Sequence, residues 1–222
     1  MPHSLTRNQV RSIDTQAIAD YGLPGIVLME NAGRGAAELL VGLGVQGAVV
    51  ICAGKGNNGG DGFVIARHLE LHGLETNVLL CCEPEELAGD AAINYRVLVA
   101  AEQHVEVLGK TLDAETFMQK LSSADWIVDA LLGTGTQGAI REPHLTAIAA
   151  INAAGKKVLA IDLPSGMDCD TGQSLGACVH ADHTATFVAR KVGFDAPGAN
   201  GLTGRVHVVD IGVPKRLLQC FQ

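Results

Sequence analysis

Val49-Val50-Ile51-Cys52-Ala53-Gly54-Lys55-Gly56-Asn57-Asn58-Gly59-Gly60-Asp61-Gly62 decides the reading of this chain. An apolar, β-branched run stops at a glycine-rich loop. A helical pattern follows, with Phe63, Val64, Ala66, Leu69 and Leu71 recurring at mixed spacings of three and four. Five glycines in the nine residues from Gly54 to Gly62 leave the backbone free to take φ > 0 and to approach a ligand closely. A loop that feeds a helix N-terminus presents N–H groups and the positive end of the helix dipole, which favours an anion such as phosphate. Asn57, Asn58 and Asp61 add oxygen donors within five positions, so the site is expected to bind a phosphate and something more, a cation included.

The segment holds a Gly54-x-Gly56-x-x-Gly59 match, the dinucleotide-binding pattern, in strand–loop–helix context. A tight βα turn without a ligand would read the same way. No Gly-Lys-Ser/Thr closes the loop, so it is not a Walker A sequence. A dinucleotide oxidoreductase also needs an acid after the second strand, and Glu83, behind Val78-Leu79-Leu80-Cys81-Cys82, is the candidate.

Outward from this segment the chain alternates. Strand-like runs fall near 48–53, 76–82, 104–108, 125–132, 157–162, 184–189 and 205–210, and helix-like runs near 60–73, 86–101, 113–123 and 143–154. Such alternation predicts a parallel sheet covered on both faces. The last two strands, joined by a Gly/Pro/Asn loop over 193–204, are placed at an edge. Two helices precede the alternation. Thr6-Arg7-Asn8-Gln9 forms a capping box ahead of a stripe at Val10, Ile13, Ala17 and Ile18, and Pro24 opens a helix over 26–43. Ala32, Gly33, Gly35, Ala36 and Ala37 on the second helix imply close packing against another helix or a partner subunit.

The 222 residues read as one domain. They are 47% hydrophobic but 4% aromatic, with 27 glycines, the composition of a Val/Ile/Leu/Ala core with many turns. A net charge of −8 without a basic stripe argues against nucleic acid and anionic membranes as partners. No apolar run is long enough to span a bilayer. Six cysteines without a Cys-x-x-Cys pair fit reduced, buried thiols of a cytoplasmic protein. The N-terminus has no secretory apolar stretch, and Asp14 and Asp20 argue against a transit peptide. His68 and His72 stand four apart with no third ligand, and Ser165 is not in a Gly-x-Ser-x-Gly elbow.

Two more loops follow apolar runs directly: Asp129-Ala130-Leu131-Leu132-Gly133-Thr134-Gly135-Thr136-Gln137-Gly138, and Asp162-Leu163-Pro164-Ser165-Gly166-Met167-Asp168. Ligands bind at the carboxyl ends of strands in open α/β sheets, so all three loops are expected on one rim.

Taken together, these residues resemble the NAD(P)H-hydrate epimerase family, the YjeF N-terminal domain type. The resemblance runs nearly end to end. It rests on Leu28-Met29-Glu30-Asn31-Ala32-Gly33, Gly56-Asn57-Asn58-Gly59-Gly60-Asp61-Gly62, Ala66-Arg67-His68-Leu69, Val128-Asp129-Ala130-Leu131-Leu132-Gly133-Thr134-Gly135, Ile161-Asp162-Leu163-Pro164-Ser165-Gly166 and Ala181-Asp182-His183-Thr184-Ala185-Thr186-Phe187. The chain departs from the family at Lys55, more often proline, and at Val188-Ala189-Arg190-Lys191; neither departure is expected to touch the ligands.

The resemblance implies a Rossmann-like three-layer α/β/α sandwich with a mostly parallel sheet that equilibrates the R and S epimers of hydrated NADH or NADPH. It implies one potassium ion held by Asn58, Asp129 and Ser165. Substrate contacts would come from Asn57, Asn58, Gly59, Gly60 and Asp61, from Gly133, Thr134, Gly135, Thr136, Gln137, Gly138 and Ala139, and from Asp162. Asp162 is the acid/base candidate, with Asp61 next. A homodimer is implied, with the N-terminal helices at or near its interface. Since the chain ends near Gln222, a separate dehydratase is expected to consume the S epimer. Two alternatives stay open: a NAD-dependent oxidoreductase using Glu83, and a non-catalytic scaffold of the kind found in messenger-RNA decapping proteins.

Overall fold

The computed structural model describes residues 4–221. Seven strands, β1 (Val49–Ala53), β2 (Thr76–Leu80), β3 (Val105–Val107), β4 (Trp126–Ala130), β5 (Lys157–Ile161), β6 (His183–Phe187) and β7 (Arg205–Val209), form one sheet in the order β3-β2-β1-β4-β5-β6-β7. Every neighbouring pair is parallel, as the alternation predicts. The last two strands do pair at an edge. The 193–204 connection between them, however, is not all loop, because it carries the one-turn helix α7 (Asn200–Thr203).

Strand alternation sorts the core into two faces. Val49, Ile51 and Ala53 pack beneath α1 (Arg7–Ala19), α2 (Gly25–Gly42), α3 (Asn57–Leu71) and α4 (Gly89–Ala100). Val50 and Cys52 point to the other face, under α5 (Ala114–Leu121) and α6 (His144–Ala153). The last helix, α8 (Lys215–Leu218), joins the first face through Leu217. Three layers result. The strand order reverses direction between β1 and β4, and the crevice above their carboxyl ends is where such sheets bind ligands.

The capping box at Thr6 forms, with Gln9 N–H donating to Thr6 Oγ1 and Thr6 N–H to Gln9 Oε1. The small residues of α2 are used inside the chain. A Cβ on Gly33 would fall 2.4 Å from Val64 Cβ of α3, which places the two helix backbones in near contact. Of the two expectations for this run, packing against another helix is therefore the one that accounts for Gly33.

Candidate active site

The glycine-rich segment is arranged differently from the expected loop. Only Gly54, Lys55 and Gly56 lie between β1 and α3, and Asn57-Asn58-Gly59-Gly60-Asp61-Gly62 already form the first turns of the helix. None of its five glycines has a positive φ. They are needed for close approach instead: a Cβ on Gly59 would lie 1.8 Å from the carbonyl oxygen of Gly54. The helix thus starts tight against the strand that feeds it. Asn58 and Asp61, three apart, share one helical face.

Above the switch point lies a cavity of about 740 Å³. Asn57, Asn58 and Asp61 line it from α3, Gly133, Thr134, Gly135, Thr136 and Gln137 from the loop after β4, and Asp162 from the tip of β5. Asp129 and Ser165 lie behind its wall, both wholly buried. Gly59 and Gly60 face backbone and the Met29 thioether, so they shape the helix instead of lining the cavity. Gly138 and Ala139 also fall outside the lining. Glu83 does not reach the cavity; it caps the short turn Pro84–Glu86.

Asp129 is tied to the loop after β5. Its carboxylate accepts from Ser165 N–H at 2.8 Å, from Ser165 Oγ at 2.6 Å and from Leu131 N–H at 3.3 Å. Burial nonetheless pushes this carboxyl up to about 6, against the lowering effect of those bonds. Leu132 N–H in turn donates to Ser165 Oγ, so the loops after β4 and β5 are bonded to each other. Asn58 packs against Gly133 of the same loop. Its side chain is buried, and neither its oxygen nor its nitrogen has a hydrogen-bond partner. Buried amides are almost always paired, so this one is shaped for a group from outside the chain. An amide oxygen, a carboxylate and a hydroxyl are the donors a hard cation takes.

Asp162 sits in a left-handed backbone, φ 66°, which a non-glycine residue adopts only when its surroundings enforce it. Its N–H donates to Ala185 O at 2.7 Å. Its carboxylate forms an ion pair at 2.9 Å with Lys191, which is completely buried and also donates to Phe187 O and Ala189 O. The expectation that the 188–191 departure stays clear of the ligands is thus corrected. Val188 also takes a positive φ, 69°, and lines the cavity; the irregular strand exit at this point swings Lys191 under Asp162. Lys55, the other departure, lines the cavity as well.

Two groups were not legible as site residues. Lys191 is one. Asp14, on α1, is the other: it lines the cavity, and its carboxyl is raised to about 6, first by burial and then by the charge of Asp162. An acid set beside the apolar stripe of α1, four residues from both Val10 and Ile18, was the available signal. Asp61 is raised well above the ordinary carboxyl range by burial and by Asp162 and Asp14. One end of the cavity therefore gathers three carboxyls close enough to feel one another, one of them paired with a buried ammonium. Elsewhere on its wall are Lys55, His144 and the amino end of α3. His68 is occupied otherwise, bonded to Glu30 at 2.8 Å beside Arg67.

The family described as YjeF-related protein N-terminus matches residues 25–193. The NAD(P)H-hydrate epimerase of Rhodopirellula baltica is 46% identical over 217 residues, 98% of this chain and 87% of that protein. That of Pirellula staleyi is 46% identical over 96% of this chain and 94% of its own length. The bifunctional NAD(P)H-hydrate repair enzyme Nnr of Moorella thermoacetica is 39% identical over 96% of this chain but only 41% of its own. The crystal structure of yeast ynu0 superposes with a TM-score of 0.83 at 22% identity, covering 99% of this chain and 93% of that one, which shows the shared fold. With the wholly parallel sheet, the switch-point cavity and this match over most of its length, the chain belongs to the YjeF-related N-terminal domain family.

Proposed function

We propose that this protein is an enzyme that interconverts the R and S epimers of hydrated NADH and NADPH. The observation that carries the reading is the acidic end of the cavity, where Asp162 meets Lys191 beside Asp14 and Asp61. The hydrated nicotinamide ring is a carbinolamine. Its ring nitrogen can expel the neighbouring hydroxyl to give a planar, cationic iminium, and water returning to the opposite face inverts the centre. Carboxylates around such a ring stabilise the developing positive charge. Asp162 would move the proton at the departing or returning oxygen, worth about 10²–10⁴-fold in rate. The dinucleotide phosphates would lie towards the α3 amino end and Lys55.

One potassium ion would be held by Asn58, Asp129 and Ser165, supported by the unpartnered Asn58 amide and the all-oxygen donor set. Bound there, it would supply positive charge for substrate phosphate and join the first turn of α3 to the loops after β4 and β5. A cytoplasmic homodimer is the proposed assembly. Its support is the exposure of Ile18, Tyr21 and Val27 where α1 meets α2, since Gly33 is used inside the chain. Among the described residues no helix is long and apolar enough to cross a membrane. A separate dehydratase would consume the S epimer, a reading supported by relatives named bifunctional NAD(P)H-hydrate repair enzymes, of which this chain spans 41% and 42%.

The test is a coupled assay. An S-specific dehydratase acting alone on mixed epimers should stall at the R fraction, and adding this protein should carry the reaction to completion. An R fraction that persists with folded protein removes the assignment and returns the scaffold alternative.

A further inference from the structure

Inversion makes a demand that one fixed carboxylate does not meet. The hydroxyl leaves from one face of the ring and water arrives at the other. Asp162 is held by a left-handed backbone, by Ala185 O and by Lys191, so it reaches the cavity from one fixed wall. A second carboxyl enters the same cavity from a different wall. Asp14 comes from α1, where Arg11 and Val10 also line the cavity. This helix is as firmly placed as the strand tips. Arg7 is paired with Asp168 at 2.8 Å, and Leu5 bridges the strap that carries Lys191, with Leu5 N–H donating to Arg190 O and Val192 N–H to Leu5 O.

Resting on the epimerase reading, we propose that Asp14 is a second catalytic residue, serving the ring face opposite Asp162. In one direction the protonated carboxyl of one Asp gives its proton to the hydroxyl as the C–O bond breaks, releasing water. The nitrogen lone pair forms the C=N bond. Water then forms a C–O bond on the opposite face, its proton passes to the other carboxylate, and the C=N pair returns to nitrogen. The two residues end with their protonation exchanged, which readies them for the reverse reaction; solvent exchange resets them. Burial raises the Asp14 carboxyl most, Asp162 raises it further and Lys191 opposes them, while Asp61 from α3 and Arg11 on α1 itself face the same cavity. A carboxyl near 6 can act in both forms close to neutral pH.

The experiment follows inversion and oxygen exchange separately, with each purified epimer in ¹⁸O-water. The wild type should invert both epimers and place ¹⁸O in both. Asp14→Asn should invert at least about 10²-fold more slowly. It should still exchange ¹⁸O into one epimer only, because Asp162 can expel hydroxide and return water on its own face. Asp14→Ser gives the same readout if the amide disturbs packing. Parallel loss of exchange and inversion, or inversion at the wild-type rate, overturns the proposal. A wild-type protein that does neither would instead overturn the epimerase reading on which it rests.

Discussion

Asp162→Asn is expected to damage stability as well as turnover, although the two side chains have nearly the same shape. The reason is Lys191. Its ammonium is fully buried, 2.9 Å from the Asp162 carboxylate, and its other partners, Phe187 O and Ala189 O, are neutral carbonyls. The amide oxygen of asparagine can still accept a hydrogen bond from Lys191 but brings no charge. Removing one partner of a buried ion pair costs about 3–5 kcal/mol. Asp14 and Asp61 lie near enough to Asp162 to feel its charge, and Lys191 acts on Asp14, so part of the loss is compensated. The lower end, about 3 kcal/mol, is the expectation. For a chain of this size that is a fall in melting temperature of about 6–12 °C. Turnover should drop at least about 10²-fold. Urea denaturation of Asp162→Asn, Lys191→Met and the double variant separates the causes. The double variant has no unpaired charge and should regain most of the lost stability while remaining inactive. If it is no more stable than Asp162→Asn, the unpaired ammonium is not the source of the cost and the reasoning is refuted.

The raised carboxyl of Asp14 sets a pH dependence. Its folded value of about 6 lies above the ordinary 3.8, so its contribution to stability is present below pH 3.8 and lost as pH rises through 6. Raising a carboxyl from 3.8 to about 6 corresponds to about 3 kcal/mol, so Asp14→Asn should be the more stable protein by up to that amount at pH 8 and match the wild type at pH 4, read by urea denaturation at both. Potassium should raise the melting temperature of the wild type but not of Asp129→Asn; an equal rise in both argues against the assigned donors. Gly59→Ala puts a methyl where the Gly54 carbonyl stands and should cost about 2 kcal/mol or more, whereas Gly56→Ala, which meets open space, should cost about 1 or less; similar chemical-denaturation midpoints for the two would contradict the close approach. Light scattering should give a mass near twice 23.1 kDa, and a single monomeric species at all concentrations argues against the dimer.

The inner strands were legible because buried parallel strands are written as continuous apolar runs; the edge strands β3 and β7, half exposed, alternate valine with charged or histidine residues, and each of the seven segments became a strand. The beginning of α3 was not. A run of Gly and Asn is locally a loop by propensity, because glycine weakens a helix. Tertiary packing overrides that preference here: residues 57–62 must lie against Gly54, Ala130 and Met29, and only glycine lets a helix come so close. Of the two purposes the glycines suggest, freedom in φ is unused, and the close approach they allow is to the chain's own backbone and side chains.

Asp129 and Asp162 could be found from sequence because each directly follows an apolar run, which fixes it at or near a strand tip. Asp14 and Lys191 have no such local marker. What makes them part of the site is the meeting of α1 with the strap after β6, a contact between segments about 180 residues apart, through Leu5 and Lys191. Local patterning predicts Lys191 as a solvated charge, like its neighbour Arg190, which reaches the surface to pair with Asp195. The left-handed turns at Asp162 and Val188 bring the ammonium, itself shut off from water, to the carboxylate at the cavity wall. Two strained residues and a buried ion pair are expensive for a small domain unless the arrangement does something a hydrophobic core would not. Holding a charged carboxylate at the edge of a cavity, beside two acids whose protons are held more tightly than usual, is such a task. It is what a reaction passing through a cationic ring requires of the walls around it.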